Sequence, residues 1–300
     1  MYSTFYGLKH EPFRLTPDPR FLHLAEPHRN ALRDMLEAVS ARKGLQVSVG
    51  PIGTGKTTLL YCLQHILMHE SSPQRPIRSA FIVNPMLTAV ELFEAIFDEL
   101  EVPCPGQTKP ACLRAFHEIL CEGYTKNGTL LLIIDEAHLL PSELIEEIRL
   151  LLNLDNQPVN VLQVLLCGQP ELLSLLAQPE FAALKQRVSM FSRLRALTLA
   201  ESRAYIAERL HVAGLRGESP FSTAALEEIH RLSNGVPRLI NSVCDRGMAV
   251  AYDRRSRRIE ADFILEAAEE LALFDAPRSA PRPGAELQVV ASAAVQGAKS

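Results

Sequence analysis

Apolar residues fall into two patterns that alternate over the first two thirds of this chain. Short, mainly apolar runs occur at 45–49, 79–83, 129–134 and 161–166. Runs of that length with little polar face predict strands covered on both sides, as in a parallel sheet. Between them the spacing is helical. A helix is expected over 27–41, with Leu32, Met35, Leu36 and Val39 on one face. Others are expected over 58–68, 87–100, 109–124 and 141–154. In the last of these, Leu144, Ile145, Ile148, Leu151 and Leu152 share a face that Glu143, Glu146 and Glu147 avoid. Residues 171–188 read as mostly helical, interrupted near Pro179, and 193–199 as a final strand. Strands alternating with helices imply an α/β fold with a mainly parallel five-stranded sheet flanked by helices.

The pattern changes near Ala200. From there only helices are expected, over 201–213, 222–233, 236–252 and 261–273. Ser222 or Thr223 can cap the second and Gly235 ends it. Residues 1 to about 25 carry Phe5, Tyr6, Pro12, Phe13, Pro17, Pro19 and Phe21, which describes an irregular arm whose aromatics need cover. The expected division is an arm and helix packed on the core (1–42), an α/β core (43–199), a small all-helical subdomain (200–274) and a disordered Pro-, Ala- and Ser-rich tail (275–300).

The stretch Gly50-Pro51-Ile52-Gly53-Thr54-Gly55-Lys56-Thr57-Thr58 fits the P-loop spacing, and it lies between an expected strand and an expected helix. Glycines let backbone N–H groups cradle phosphate oxygens at a helix N-terminus, whose dipole favours anions. Lys56 can reach the β- and γ-phosphates, and the Thr57 hydroxyl can sit on Mg²⁺. The run 130–134 ends in Asp135-Glu136-Ala137-His138. An acid at the carboxyl end of an apolar strand makes a Walker B element, since ligands bind at that end of open α/β sheets. Asp135 is then the Mg²⁺ residue and Glu136 the base that polarises the attacking water. The two motifs together point to hydrolysis of a magnesium nucleotide. No N/T-K-x-D guanine signal is present, which favours ATP over GTP. The letters of residues 135–138 also spell a helicase box, but the chain is too short for two helicase motors.

Phosphoryl transfer needs further polar groups. Gln169, after the run 161–166, can orient water and detect the γ-phosphate. Arg187 or Arg193 can project to a neighbouring subunit as an arginine finger, with Arg187 the first choice. Arg238, after Gly235-Val236-Pro237, can reach back over the nucleotide from the helical subdomain.

Composition adds exclusions. The chain has 300 residues, 47% hydrophobic, a formal net charge of −4 and no Trp. The pI near 6.2 gives no global case for nucleic acid or an anionic membrane. The start shows no basic and apolar signal sequence, and no run approaches the ~18 apolar residues of a membrane span. The six cysteines have no C-x-x-C spacing, so a reducing cytoplasm suits them better than a metal or disulfide framework. Cys62, Cys167 and Cys244 read as small core residues.

The opening Phe5-Tyr6-Gly7-Leu8, Pro12-Phe13 and Leu15-Thr16-Pro17-Asp18-Pro19-Arg20-Phe21-Leu22 resembles the start of ExeA-type ATPases, the general secretion pathway protein A family of the AAA+ superfamily. So do the P-loop, 131–138, Gly168-Gln169-Pro170-Glu171-Leu172, Gln186-Arg187-Val188 and Gly235-Val236-Pro237-Arg238-Leu239-Ile240-Asn241. The resemblance spans roughly 1–272 and implies an ATPase core, a helical lid and homo-oligomers that complete each site. By motif position it puts Lys56 and Thr57 on phosphate and Mg²⁺, Asp135 and Glu136 at Walker B, Gln169 at the first sensor and Arg238 at the second. Pro51 stands where the family usually has an acid, and Phe191 where a second arginine commonly follows. Secretion members continue into a membrane span and a peptidoglycan-binding domain, where this sequence has a short tail. Similar short ATPases accompany exopolysaccharide export systems and transposons.

Three functions follow as expectations. The first is Mg-ATP hydrolysis that drives assembly or remodelling of a bacterial secretion or export machine, in the cytoplasm or peripheral to the inner membrane through a partner. The second is a DNA-associated regulator of transposition, motivated by Arg254-Arg255-Ser256-Arg257-Arg258. The third is a nucleotide-holding module without turnover, against which Glu136 argues.

Overall fold

The computed structural model describes residues 2–15, 25–106, 108–155 and 158–271. The Thr16-to-Leu22 part of the opening segment, the expected tail and the last two residues of the expected final helix lie outside them. Five strands, β1 (Leu45–Val49), β2 (Ile77–Ile82), β3 (Thr129–Ile134), β4 (Leu162–Gly168) and β5 (Val188–Arg193), form one sheet in the order β2-β3-β4-β1-β5. Every neighbouring pair is parallel. All residues of β1, β3 and β4 are buried, the polar Gln46, Ser48, Thr129 and Gln163 among them, and β3 is apolar throughout after Thr129.

Side chains alternate across the sheet and feed two cores. Leu130, Leu132 and Ile134 pack with α4 (Ala89–Glu99), α5 (Lys109–Thr125) and α6 (Ser142–Leu154). Leu131 and Ile133 pack on the other face with α2 (Glu26–Ser40) and α3 (Lys56–Glu70). The helix after the P-loop therefore starts two residues earlier than expected, at Lys56.

The segment 171–185 is helical with the expected interruption near Pro179: α7 (Glu171–Leu176), a 3-10 turn (Pro179–Phe181) and α8 (Ala182–Lys185). The strand expected at 193–199 lies earlier, at β5, and pairs with β1 from Leu45↔Val188 to Val49↔Arg193. An edge strand needs no continuous apolar run, and β5 is mostly exposed or half-buried. Leu194 and Leu197, which suggested a strand, are instead buried in an extended linker. There the Leu194 N–H donates to Val49 O at 2.8 Å and the Leu197 N–H to Gly235 O at 2.8 Å.

Beyond the linker, α9 (Leu199–Val212), α10 (Thr223–Ser233), α11 (Pro237–Asp253) and α12 (Ala261–Glu270) pack around their own apolar cluster. The N-terminal arm, expected on the α/β core, packs on these helices instead. Its Tyr6, Leu8 and Phe13 belong to their cluster. The Tyr2 hydroxyl, in α1 (Tyr2–Phe5), donates to Asp245 Oδ1, and the Tyr6 hydroxyl donates to Ser256 O at 3.0 Å. The Lys9 N–H donates to Ala213 O at 2.8 Å, and the buried Arg209 guanidinium donates to Pro12 O. A four-helix group this small has little interior, and the arm's rings complete it. Only α2 of the expected N-terminal unit lies on the sheet.

The entry to α9 is held by a capping box. The Thr198 hydroxyl accepts the Glu201 N–H, and the Glu201 carboxylate accepts the Thr198 N–H and two bonds from Arg195. Arg195, helped by those Thr198 bonds and opposed by partial burial, holds the Glu201 carboxyl at about 2, below its ordinary 4.5. A depressed carboxyl stabilises the fold above pH 4.5 and loses that contribution as the pH falls toward 2. Arg195 is half exposed, which screens the pair. Glu201→Gln is therefore expected to cost about 1 kcal/mol, roughly 3 °C in melting temperature, at neutral pH. The difference should vanish near pH 2. Melting curves across that range check it; an equal loss at both ends would contradict the assignment.

Candidate functional site

Three adjacent strands, β3, β4 and β1, deliver their carboxyl ends to one place. From β1 comes the loop 50–55, anchored where the Gly50 N–H donates to Gly168 O at 3.1 Å. Gly53 and Gly55 take left-handed backbone (φ 77° and 94°), which turns the loop back on itself before α3. No side chain caps α3, so the N–H groups of its first turn are left to an anionic ligand. Pro51 and Ile52 are exposed on the loop's outer side, Thr54 is buried beneath it, and Thr58 is half-buried in the helix.

Lys56 is buried inside this loop, and its ammonium donates to Gly50 O at 2.9 Å and Pro51 O at 3.1 Å. Both partners are carbonyls of the loop itself, so the charge is held without a carboxylate at the centre of the cradle. The Thr57 hydroxyl donates to Asp135 Oδ2 at 2.6 Å. This one bond joins the P-loop helix to the end of β3. Asp135 is buried, and its Oδ1 accepts the Glu136 N–H at 2.8 Å.

Glu136 has left-handed backbone (φ 49°), uncommon for a residue with a side chain and often found at functional sites. Its side chain is 40% exposed, yet Oε2 is buried with no hydrogen-bond donor. A buried acceptor left unmade costs about 1–3 kcal/mol, and such an oxygen is placed to take a proton. The residues thus fit a magnesium nucleotide on three observations: a caged lysine, an adjoining hydroxyl and carboxylate, and an orphaned carboxylate oxygen.

Gln169, just past β4, stands across from Glu136 with its side-chain nitrogen 2.9 Å from His138 Nε2. Arg238 begins α11 against the loop. Its N–H donates to Gly53 O at 3.2 Å, and a Cβ on Gly53 would fall 3.0 Å from the Arg238 Cβ. The helical subdomain therefore touches the P-loop directly. Arg187 is not brought to this site. It precedes β5 at the far end of the sheet, donates to Asn153 Oδ1, and is about 16 Å from the P-loop by strand length. Arg193, at the near end of β5, lies over the Phe191 ring at 5.9 Å and lines a cleft of about 330 Å³ with Glu26, Asn30 and Asp34.

Two residues were missed from sequence. His28, on α2, is buried, and its Nε2 donates to Thr54 O at 2.7 Å. His138 meets Gln169 twice, with Nε2 at 2.9 Å from its side-chain nitrogen and Nδ1 accepting its backbone N–H at 3.4 Å, and Nδ1 lies 3.4 Å from Glu136 Oε2. Its position in Asp-Glu-Ala-His was a visible signal; for His28 no local pattern was available. Buried Cys167, beside Asp135, has its thiol pushed up by burial and is inert as a nucleophile.

A cradle at a helix N-terminus, an acid pair two strands away and a helical group on the loop define an AAA+ P-loop ATPase. A family profile described as an AAA domain matches residues 28–176. Solved structures with this fold include the ORC2 protein of Aeropyrum pernix (TM-score 0.62, 18% identity, 85% of this chain and 72% of that chain). The RuvB branch-migration motor of Thermotoga maritima is another (TM-score 0.54, 19% identity, 82% and 70%). Within the class, the chain is similar to general secretion pathway protein A. It is 38% identical over 277 residues to that protein of Aeromonas hydrophila, across 91% of this chain. The chain spans about half (49%) of that relative's length.

Proposed function

We propose that this chain binds and hydrolyses Mg-ATP, and that the cycle drives assembly or remodelling of a partner complex in a bacterial secretion or export system. The observation that carries the hydrolytic part is the 2.6 Å bond from Thr57 to Asp135, which brings the two nucleotide motifs into one site. The relation to general secretion pathway protein A supports the choice of partner.

The chain's residues divide the work. Lys56 exchanges its two carbonyl partners for phosphate oxygens. Thr57 and Asp135 would hold Mg²⁺, which, when bound, neutralises charge on the β- and γ-phosphates. Glu136 takes a proton from the attacking water as the water oxygen bonds to the γ-phosphorus. The bond from that phosphorus to the bridging oxygen breaks, and ADP leaves with the electron pair. Gln169 orients the water, and Arg238 reads the phosphates from the lid. Arg187 is too far to act on its own site, which supports a finger given in trans to a neighbouring copy in a homo-oligomer.

The transposition reading rests on residues 254–258. Arg254 pairs with Glu266 and Arg258 with Glu260, while Arg255 and Arg257 lie over the rings of Tyr252 and Phe5. Arginines so engaged offer less charge to a DNA backbone, so the secretion or export reading is preferred. No helix among the described residues is long and apolar enough to cross a membrane. We place the protein in the cytoplasm, reaching the inner membrane through its partner.

Equilibrium binding of a fluorescent ATP analogue with magnesium tests the site. Lys56→Ala is expected to weaken binding by at least about tenfold, since it removes the charge at the phosphates. Failure of the native chain to retain nucleotide at millimolar concentration would end the proposal.

A further inference from the structure

We propose that His28 is a positioning residue for the nucleotide: it holds the carbonyl side of the Thr54–Gly55 peptide from outside the P-loop, and so aims the Gly55 N–H at the phosphates. The inference rests on the nucleotide-binding reading of the site. Thr54 O can only accept, so the proton of this bond is on His28 Nε2, 2.7 Å away. In a trans peptide the carbonyl and the next N–H point to opposite sides. A carbonyl turned out toward α2 therefore turns the Gly55 N–H in toward the space the loop encloses. The ring also lies against the glycine itself, since a Cβ on Gly55 would fall 3.2 Å from Nε2.

The loop needs such an anchor because a carbonyl oxygen turned into the cradle would repel phosphate. Gly50 O and Pro51 O face the Lys56 ammonium, and Pro51 O also accepts the Thr54 hydroxyl at 2.8 Å. Gly53 O accepts the Arg238 N–H at 3.2 Å, and Thr54 O accepts from His28. Lys56 gives up its bonds when it turns to a phosphate, whereas the bond from His28 comes from another element and stays. The first backbone bond of α3 runs from the Leu59 N–H to Gly55 O at 3.0 Å. Thr54 O, one residue earlier, would extend that series by taking the Thr58 N–H. Its bond to His28 leaves that N–H for the ligand as well. The mount is firm: His28 is buried one turn before Ala31 and Leu32, which pack in one core with Leu59, Leu60 and Leu63 of α3.

Two substitutions separate the hydrogen bond from the packing. His28→Phe fills the space without a donor. It is expected to raise Kd for Mg-ATP and for Mg-ADP at least about tenfold, and KM with them, while kcat stays within about threefold of native. Both nucleotides suffer alike because the loop N–H groups grip the α- and β-phosphates that they share. His28→Gln puts an amide N–H where Nε2 stands, and should return both Kd values to within about threefold of native. Thermal melts confirm that each variant is folded. A measurement on the native chain stands beside them and decides the matter if a variant does not fold. With glycine carrying an NMR-active nitrogen isotope, the Gly55 amide proton should move downfield when Mg-ADP is added. Native affinity in His28→Phe, no recovery in folded His28→Gln, or a Gly55 amide unmoved by bound Mg-ADP overturns the proposal while leaving the nucleotide site intact. A native chain that retains no nucleotide overturns the binding reading and this proposal with it.

Discussion

Glu136→Gln should bind ATP as tightly as the native chain and release phosphate at least about a hundredfold more slowly. The amide matches the carboxylate in shape, so the site keeps its form, but it cannot accept a proton from water. Glutamine tolerates the left-handed backbone at this position (φ 49°) no worse than glutamate, so folding is not the variable. The lost factor is the contribution of a positioned base, since the cradle, Lys56 and the Asp135–Thr57 pair all remain. Single-turnover phosphate release, measured beside nucleotide retention, separates the effects. Native turnover in this variant would move the base to another residue. Loss of ATP binding would show that Glu136 shapes the cradle rather than the chemistry.

Gly235→Ala should be the most disruptive small substitution outside the site. Gly235 has φ 72°, and a Cβ there would fall 1.9 Å from Leu197 O and 2.9 Å from its carbonyl carbon. Both atoms are backbone of the linker between sheet and lid, and the Leu197 N–H is itself bonded to Gly235 O. Neither can yield without opening the joint. The expected loss exceeds about 4 kcal/mol, a melting temperature roughly 10 °C lower or worse. Gly7 is the control: it has the same φ of 72° with nothing within 4 Å of an added Cβ. Gly7→Ala therefore carries the conformational strain alone, about 1 kcal/mol. If both variants melt together, the contact at Leu197 is not a rigid part of the joint.

What could be read from the chain depended on whether one segment's own pattern carried the information. β3 was legible to the residue because, buried on both faces, it runs apolar from Leu130 to Ile134 after Thr129. β5 was not: it is an edge strand with Phe191 exposed, and Leu194 and Leu197 beyond it imitate a strand while packing as a linker. The P-loop and Walker B residues are local motifs, and their types follow from phosphate and metal chemistry. His28 acts through a carbonyl 26 positions away, a relation that exists only after folding. His138 was visible as a letter, but its two partners come from the ends of different strands. The arm's rings announced a need for cover without saying which surface would supply it.

That surface has a mechanical consequence. Residues 2–13 pack with the four C-terminal helices, while α2 (Glu26–Ser40) packs on the sheet. The linker at 194–198 is pinned at both ends, by the Leu194 N–H to Val49 O and by the Leu197 N–H to Gly235 O. A tilt of the helical group about that joint would carry Arg238 with it, and the bond from the Arg238 N–H to Gly53 O would pass the movement to the loop 50–55.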